Sequence, residues 1–158
     1  MRIEIDDLSR PQVLGLLEEH LRNMYEITPP EYVFAFDANK LKAADVTFWT
    51  AWDRDALLGC AALKELSPTE GEIKSMRTPA TRRRTGAGRA LLNHIVDVAR
   101  ARGYRVLYLE TGHQPEFVPA QTLYGSAGFT KCGPFGHYRE NGNSVFMSLS
   151  LEPREAER

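Results

Sequence analysis

The chain has 158 residues, 42% apolar and 26% charged, with 20 basic residues against 21 acidic ones. That mixture excludes a wholly disordered chain, and a net charge of −1 argues against a dedicated nucleic-acid binder, which carries a basic excess. No apolar run approaches the roughly 18 residues of a membrane span, Met1 to Asp6 holds no hydrophobic signal core, and two cysteines (Cys60 and Cys132) build no disulfide framework.

Arg2 to Ile5 alternates polar and apolar, the period of a half-buried strand. Ser9 is placed to cap a helix that opens at Pro11, and Val13, Leu16, Leu17, His20, Leu21 and Met24 recur at helical spacing. An amphipathic helix is therefore predicted over 10–25, ended by Pro29 and Pro30. A loop and short helix follow from Tyr32 to Leu41. Val46 to Trp52 and Ala56 to Leu63 are rich in β-branched, aromatic and aliphatic residues around the turn Asp53-Arg54-Asp55, which predicts a hairpin. A third strand runs from Glu72 to Thr78. Gly86 to Arg102 presents Leu91, Leu92, Ile95, Val98 and Ala99 on one helical face and stops at Gly103. Arg105 to Glu110 is an apolar run of strand length directly after it, so strand, helix and strand make a parallel βαβ unit. Pro119 to Ala127 reads as a short helix stopped by Gly128, and Phe129 to Cys132 and Ser144 to Leu151 as two last strands.

These elements predict one α/β domain with a mixed (α+β) sheet over 1–151 and a charged tail over 152–158. Its early strands are antiparallel, a single βαβ crossover is parallel, and the C-terminal strands are antiparallel again. The expected setting is a reducing, cytoplasmic one, with no membrane partner and no nucleic acid. His20, His94, His113 and His137 have no metal-ligand spacing, so no metal is expected.

The segment Arg82-Arg83-Arg84-Thr85-Gly86-Ala87-Gly88-Arg89 joins a strand to a helix and places glycines at the helix start. Glycine lets the backbone approach an anion closely. The first helical N–H groups have no internal partner, and the helix dipole adds positive potential there. The segment is therefore a candidate phosphate site. It is neither a Walker loop nor the three-glycine dinucleotide fingerprint.

Arg83-x-x-Gly86-x-Gly88 resembles the Gln/Arg-x-x-Gly-x-Gly/Ala signature of the GNAT superfamily of acetyl-CoA-dependent N-acetyltransferases. Ala120-x-x-Leu123-Tyr124-x-x-x-Gly128-Phe129 resembles that family's later motif, and the element order agrees from Arg2 to Leu151. Three positions depart from the pattern: Arg84 stands where many members carry glycine, Pro79 lies one position early, and Phe117 replaces a frequent asparagine.

The resemblance implies acetyl-CoA as cofactor, held by Met76, Arg77, Thr78, Arg83, Arg84, Thr85, Gly86, Ala87, Gly88, Arg89 and Tyr124. It also implies transfer of the acetyl group to the primary amine of a small molecule. Such transfer needs a base for the ammonium, a donor for the oxyanion and a proton for the departing thiolate. Tyr124 is the candidate acid, the Met76 backbone N–H the oxyanion donor, and Glu72 the candidate base, with Glu110 and His113 competing. Tyr25, Tyr32, Phe34, Glu110, His113, His137, Tyr138 and Arg139 are the candidate acceptor-pocket residues. Arg139 is suited to a substrate carboxylate. A protein lysine or N-terminal acetyltransferase, and a non-catalytic acyl-CoA-binding module, are the competing functions. A homodimer is left open.

Overall fold

The computed structural model describes residues 1–79 and 85–152. Its strands are β1 (Arg2–Ile5), β2 (Val46–Asp53), β3 (Ala56–Ser67), β4 (Glu70–Arg77), β5 (Val106–Gly112), β6 (Thr130–Cys132) and β7 (Ser144–Ser150). They form one seven-stranded sheet in the order β1-β2-β3-β4-β5-β7-β6. The pair β4/β5 is parallel and every other pair antiparallel, as the sequence predicts. The helices are α1 (Pro11–Ile27), α2 (Ala38–Leu41), α3 (Ala87–Ala101) and α4 (Val118–Ser126).

Helix α1 starts at the predicted proline, but Ser9 is not its cap. Arg10 holds that position with no side-chain cap bond, because the Ser9 hydroxyl donates to Asp7 Oδ1 at 2.5 Å instead. The helix also runs two residues past the predicted end.

Period-2 alternation sorts the sheet into two cores. Phe48, Trp52, Cys60 and Ala62 face α1 with its Val13, Leu16 and Leu17. Trp49, Ala51, Ala61, Leu63, Ile73, Leu107 and Leu109 face α3 with its Leu91, Leu92, Ile95 and Ala99. Since Ile73 and Leu109 belong to the α3 side, their neighbours Glu72, Lys74, Tyr108 and Glu110 project to the α1 side. Cys60 is a small buried hydrophobe: burial pushes its thiol up to about 12 and it donates to the Ser75 carbonyl at 3.3 Å.

One irregularity shapes the site. Cys60 pairs with Arg77 but Ala62 pairs with Lys74, so β4 spends an extra residue there and carries a bulge. Ser75 within it holds φ +53, a left-handed conformation that costs a non-glycine residue roughly 1 kcal/mol. After the bulge β4 leaves its parallel neighbour. The last β4/β5 pair is Ile73↔Leu109, although β4 continues to Arg77 and β5 to Gly112.

Below the split the two strands are packed tightly. A Cβ added to Gly71 would lie 2.9 Å from Leu63 Cδ1 and 2.9 Å from the Tyr104 ring, which its own hydroxyl fixes by donating to Glu65 at 2.7 Å. Gly71→Ala is therefore expected to destabilise the fold by about 1–3 kcal/mol, the usual cost of overpacking. Chemical denaturation measures this, and an unchanged midpoint would show that Tyr104 yields freely.

Candidate active site

The divergence of β4 from β5 opens a cleft of about 540 Å³, walled by α1, the chain from Thr28 to Ala35, both strands and the start of α4. Helix α1 contributes His20, Asn23, Met24 and Ile27 to its lining. The spacing i, i+3, i+4, i+7 puts these four on one helical stripe. Tyr25, one residue beyond Met24, turns away and is 56% exposed.

On the β4 wall a buried ionic cluster is fully tied. Glu72 Oε2 accepts a hydrogen bond from the Tyr138 hydroxyl at 2.6 Å and lies 3.4 Å from Lys74 Nζ. Lys74 in turn donates to the Phe34 carbonyl and to the Tyr138 hydroxyl, each at 2.9 Å. Its ammonium also stands 4.3 Å from the Phe36 ring centroid. Burial pulls the lysine below its ordinary pKa while Glu72 opposes the shift, and burial together with Glu72 pushes the Tyr138 phenol up. The loop that delivers Tyr138 is anchored by aromatics: Phe135 stacks on Tyr108 at 4.6 Å, and Phe34 meets Tyr138 edge-on at 5.1 Å.

On the β5 wall Glu110 stands in a different state. Burial pushes its carboxyl up to about 7, against a hydrogen bond from Ser144 and the pull of Lys74. The Ser144 hydroxyl donates to Glu110 Oε2 at 2.7 Å, and Asn141 holds Ser144 by accepting its backbone N–H at 2.8 Å. Tyr124 lines the same cleft from α4; burial, with Glu110 nearby, pushes its phenol up to about 12. Its hydroxyl has no hydrogen-bond partner among the described residues.

The glycines predicted to hold a cofactor open α3. Gly86 is its N-cap with φ +85 and nothing within 4 Å of an added Cβ, and as glycine it offers the helix start no side-chain cap of its own. The backbone is left-handed at Gly86 and uncrowded, and the helix N–H groups after Ala87 have no side-chain cap among the described residues, which suits a phosphate. Ala87 N–H is 3.3 Å from Thr85 Oγ1, and Gly88 passes close to Leu123 of α4. Arg89 is engaged sideways, donating to Ser126 Oγ at 3.0 Å. Met76 lines the cleft just after the bulge, where β4 no longer pairs with β5. Thr78 packs its methyl near Gly59 rather than into the cleft. Arg83 and Arg84 lie outside the described residues, as does the tail beyond Glu152.

Of the expected acceptor residues, Tyr32, Phe34 and Glu110 line the cleft, as does the candidate base Glu72, and Tyr138 reaches its wall through Glu72 and Lys74. His113 is exposed and turned to the Asn143 carbonyl, 3.4 Å from its Nδ1. His137 and Arg139 are exposed and outside the lining, because the Phe135–Tyr138 turn points only its aromatic residues inward. The cleft also takes His20, Asn23, Lys74 and Ser75, none of which sequence reasoning singled out as site residues. The α1 stripe was the available signal for the first two. Among the described residues no three His, Cys, Asp or Glu could hold a metal ion, and no helix is long and apolar enough to cross a membrane.

Residues 13–129 match the model of the acetyltransferase (GNAT) family. This chain belongs to that family. It is an N-acetyltransferase that uses acetyl-CoA. It is 50% identical over 151 residues to the uncharacterized N-acetyltransferase YsnE of Bacillus subtilis, a match covering 96% of this chain and all (100%) of that protein. With the uncharacterized N-acetyltransferase YedL of Escherichia coli it shares 42% identity, covering 94% of each. Among solved structures, an aminoglycoside 6'-N-acetyltransferase complexed with coenzyme A superposes with a TM-score of 0.71 at 19% identity, over 98% of this chain and 99% of that one. That likeness is one of fold.

Proposed function

We propose that the GNAT enzyme described here acetylates the primary amine of a small molecule, that Glu110 takes the proton from that amine, and that Tyr124 hydrogen-bonds the departing sulfur. The observation that carries this reading is a cleft of about 540 Å³ that holds a carboxyl pushed up to about 7 and a protonated phenol together. That volume is in the range of small-molecule sites, and its walls mix aromatic and aliphatic side chains with charged and polar ones.

Acetyl-CoA supplies a thioester carbonyl within reach of the amine. Residues Thr85 to Arg89 at the start of α3 hold the pyrophosphate through backbone N–H groups. Arg83 and Arg84, which precede them in the sequence, add positive charge. The Met76 backbone N–H, on the stretch of β4 that no longer pairs with β5, is the donor we assign to the carbonyl oxygen. Glu110 takes the ammonium proton: a base with a pKa near the working pH combines availability with driving force. Glu72, the carboxylate first favoured for this role, has its Oε2 shared between Tyr138 and Lys74 and serves to fix the wall. Tyr124, with a phenol at about 12, is a poorer acid than a thiol near 8.5. It acts by donating a hydrogen bond to the sulfur as negative charge gathers there.

A library of small primary amines and lysine peptides, scored by free-thiol release from acetyl-CoA, tests the acceptor class. Turnover of peptides alone would sink the small-molecule reading. Cofactor placement has its own test. Acetyl-CoA is expected to raise the melting temperature of the wild type by mass action. Gly86→Asp should remove that shift, because it puts a carboxylate at the anion site and a side chain where φ is +85. A full shift in this variant would place the pyrophosphate elsewhere.

A further inference from the structure

The α1 stripe divides the cleft wall into an apolar half, Met24 and Ile27, and a polar half, His20 and Asn23. Opposite the polar half stands Arg77, at the end of β4. Its Nη1 donates to Asn23 Oδ1 and its Nη2 to Glu19 Oε1, each at 3.1 Å. The Arg77 Nε, the His20 Nδ1 and the Ser75 Oγ are buried, and none has a hydrogen-bond partner among the described residues. Three buried unpaired polar atoms lining one cleft are exceptional, since interiors pair nearly all such groups. His20 itself is only 9% exposed, and burial beside Arg77 pulls its imidazole down to about 4, so it is neutral at pH 7 and carries one N–H.

The two cations of the cleft are not equivalent. Lys74 spends its donors on Phe34 and Tyr138 and its charge on Glu72. Arg77 keeps an N–H to spare among the described residues, and its ionic partner there, Glu19, is 39% exposed against 12% for the arginine side chain. An exposed partner of this kind contributes little and gives way to a better-placed anion. Glu110, on the opposite wall, draws an ammonium and repels a carboxylate.

We infer that His20, Asn23 and Arg77 form an anion subsite that takes the carboxylate of an amino-acid-type acceptor while its amine lies at Glu110; the inference rests on the small-amine reading above. A guanidinium with a free Nε offers a carboxylate the paired geometry that lysine cannot. Met24, Ile27 and Phe34 would then receive an apolar side chain.

The test is calorimetric titration of the coenzyme A-saturated protein with phenylalanine and with phenylalaninamide, which differ only in the charged carboxylate. The wild type should bind phenylalanine about tenfold tighter or more, as a charge-assisted hydrogen bond allows. Arg77→Gln should bring the ratio of the two affinities close to one. Glu19→Gln, on the exposed side of the pair, should widen it by freeing the guanidinium, and it provides the measurement if Arg77→Gln unfolds. A wild-type ratio near one, a ratio that survives Arg77→Gln, or one that Glu19→Gln leaves unmoved would overturn the subsite. So would loss of coenzyme A affinity in Arg77→Gln with the ratio intact, which would make Arg77 a cofactor ligand. Thiol release from acetyl-CoA separates the two readings. Carboxylate-dependent binding without acetylation of any small amine defeats the proposed function and leaves the subsite standing. Acetylation without carboxylate preference does the reverse.

Discussion

Tyr124→Phe is expected to lower kcat by about 10²-fold, the lower end of what one hydrogen-bond donor to developing negative charge contributes, with coenzyme A affinity nearly unchanged. The phenyl ring keeps its place against Phe129, 6.0 Å away between centroids, so packing is conserved. Only the hydroxyl is lost, and it holds no other partner among the described residues. The effect should fall on kcat and kcat/KM alike, the mark of an interaction made in the transition state. Steady-state kinetics and a coenzyme A titration on the same preparation decide the matter. Loss of cofactor binding would reassign Tyr124 to packing, and wild-type turnover would hand the sulfur to another donor.

Glu110→Gln is expected to lower kcat/KM by 10²–10⁴-fold and to change its pH dependence. In the wild type, activity should climb as pH rises through about 7, where Glu110 loses its proton, and then level until the amine's own ionisation intervenes. The variant should lack that limb. Stability moves the other way. The carboxyl is raised from 4.5 to about 7, so the folded protein keeps a proton that the unfolded chain surrenders. The stabilisation linked to that proton is complete below pH 4.5 and is lost as pH rises through 7. At higher pH the ionised side chain costs the fold at most about 3 kcal/mol. Glutamine cannot ionise, and the variant should melt near the wild type at pH 5 and above it at pH 8.5. Melting curves that coincide at both pH values would show that Glu110 is not buried enough to matter. An acid limb that persists in the variant would return the base role to Glu72 or His113.

Much of the architecture was legible because periodicity and punctuation agree with burial. Pro11, Gly103 and Gly128 bracket their helices, and the apolar stripe of α3 and the alternation in β2 and β3 assign both sheet faces. The glycines that open α3 and the tyrosine of α4 were legible as local motifs. The acceptor wall was not, because it is assembled from distant segments. Nothing near Ser75 announces a left-handed residue, since serine usually avoids that region and only the tertiary demand of the bulge imposes it. Lys74 reads as an exposed strand residue until Phe34 and Tyr138 close over it. Glu110 and Glu72 are both strand glutamates in sequence; what separates them is that one finds a lysine and the other a serine.

Lys74 joins segments that are 40 and 64 residues away along the chain, through Phe34 and Tyr138. A single ammonium is thus the keystone for three stretches of the acceptor wall, and none can be re-cut without unseating the other two. Drift toward new acceptors therefore has one direction of least resistance. The α1 stripe lies outside the keystone's reach and can exchange His20, Asn23, Met24 or Ile27 singly. Relatives that keep the lysine, the tyrosine and the glutamate while differing along that helix would share one chemistry and divide the amines among themselves.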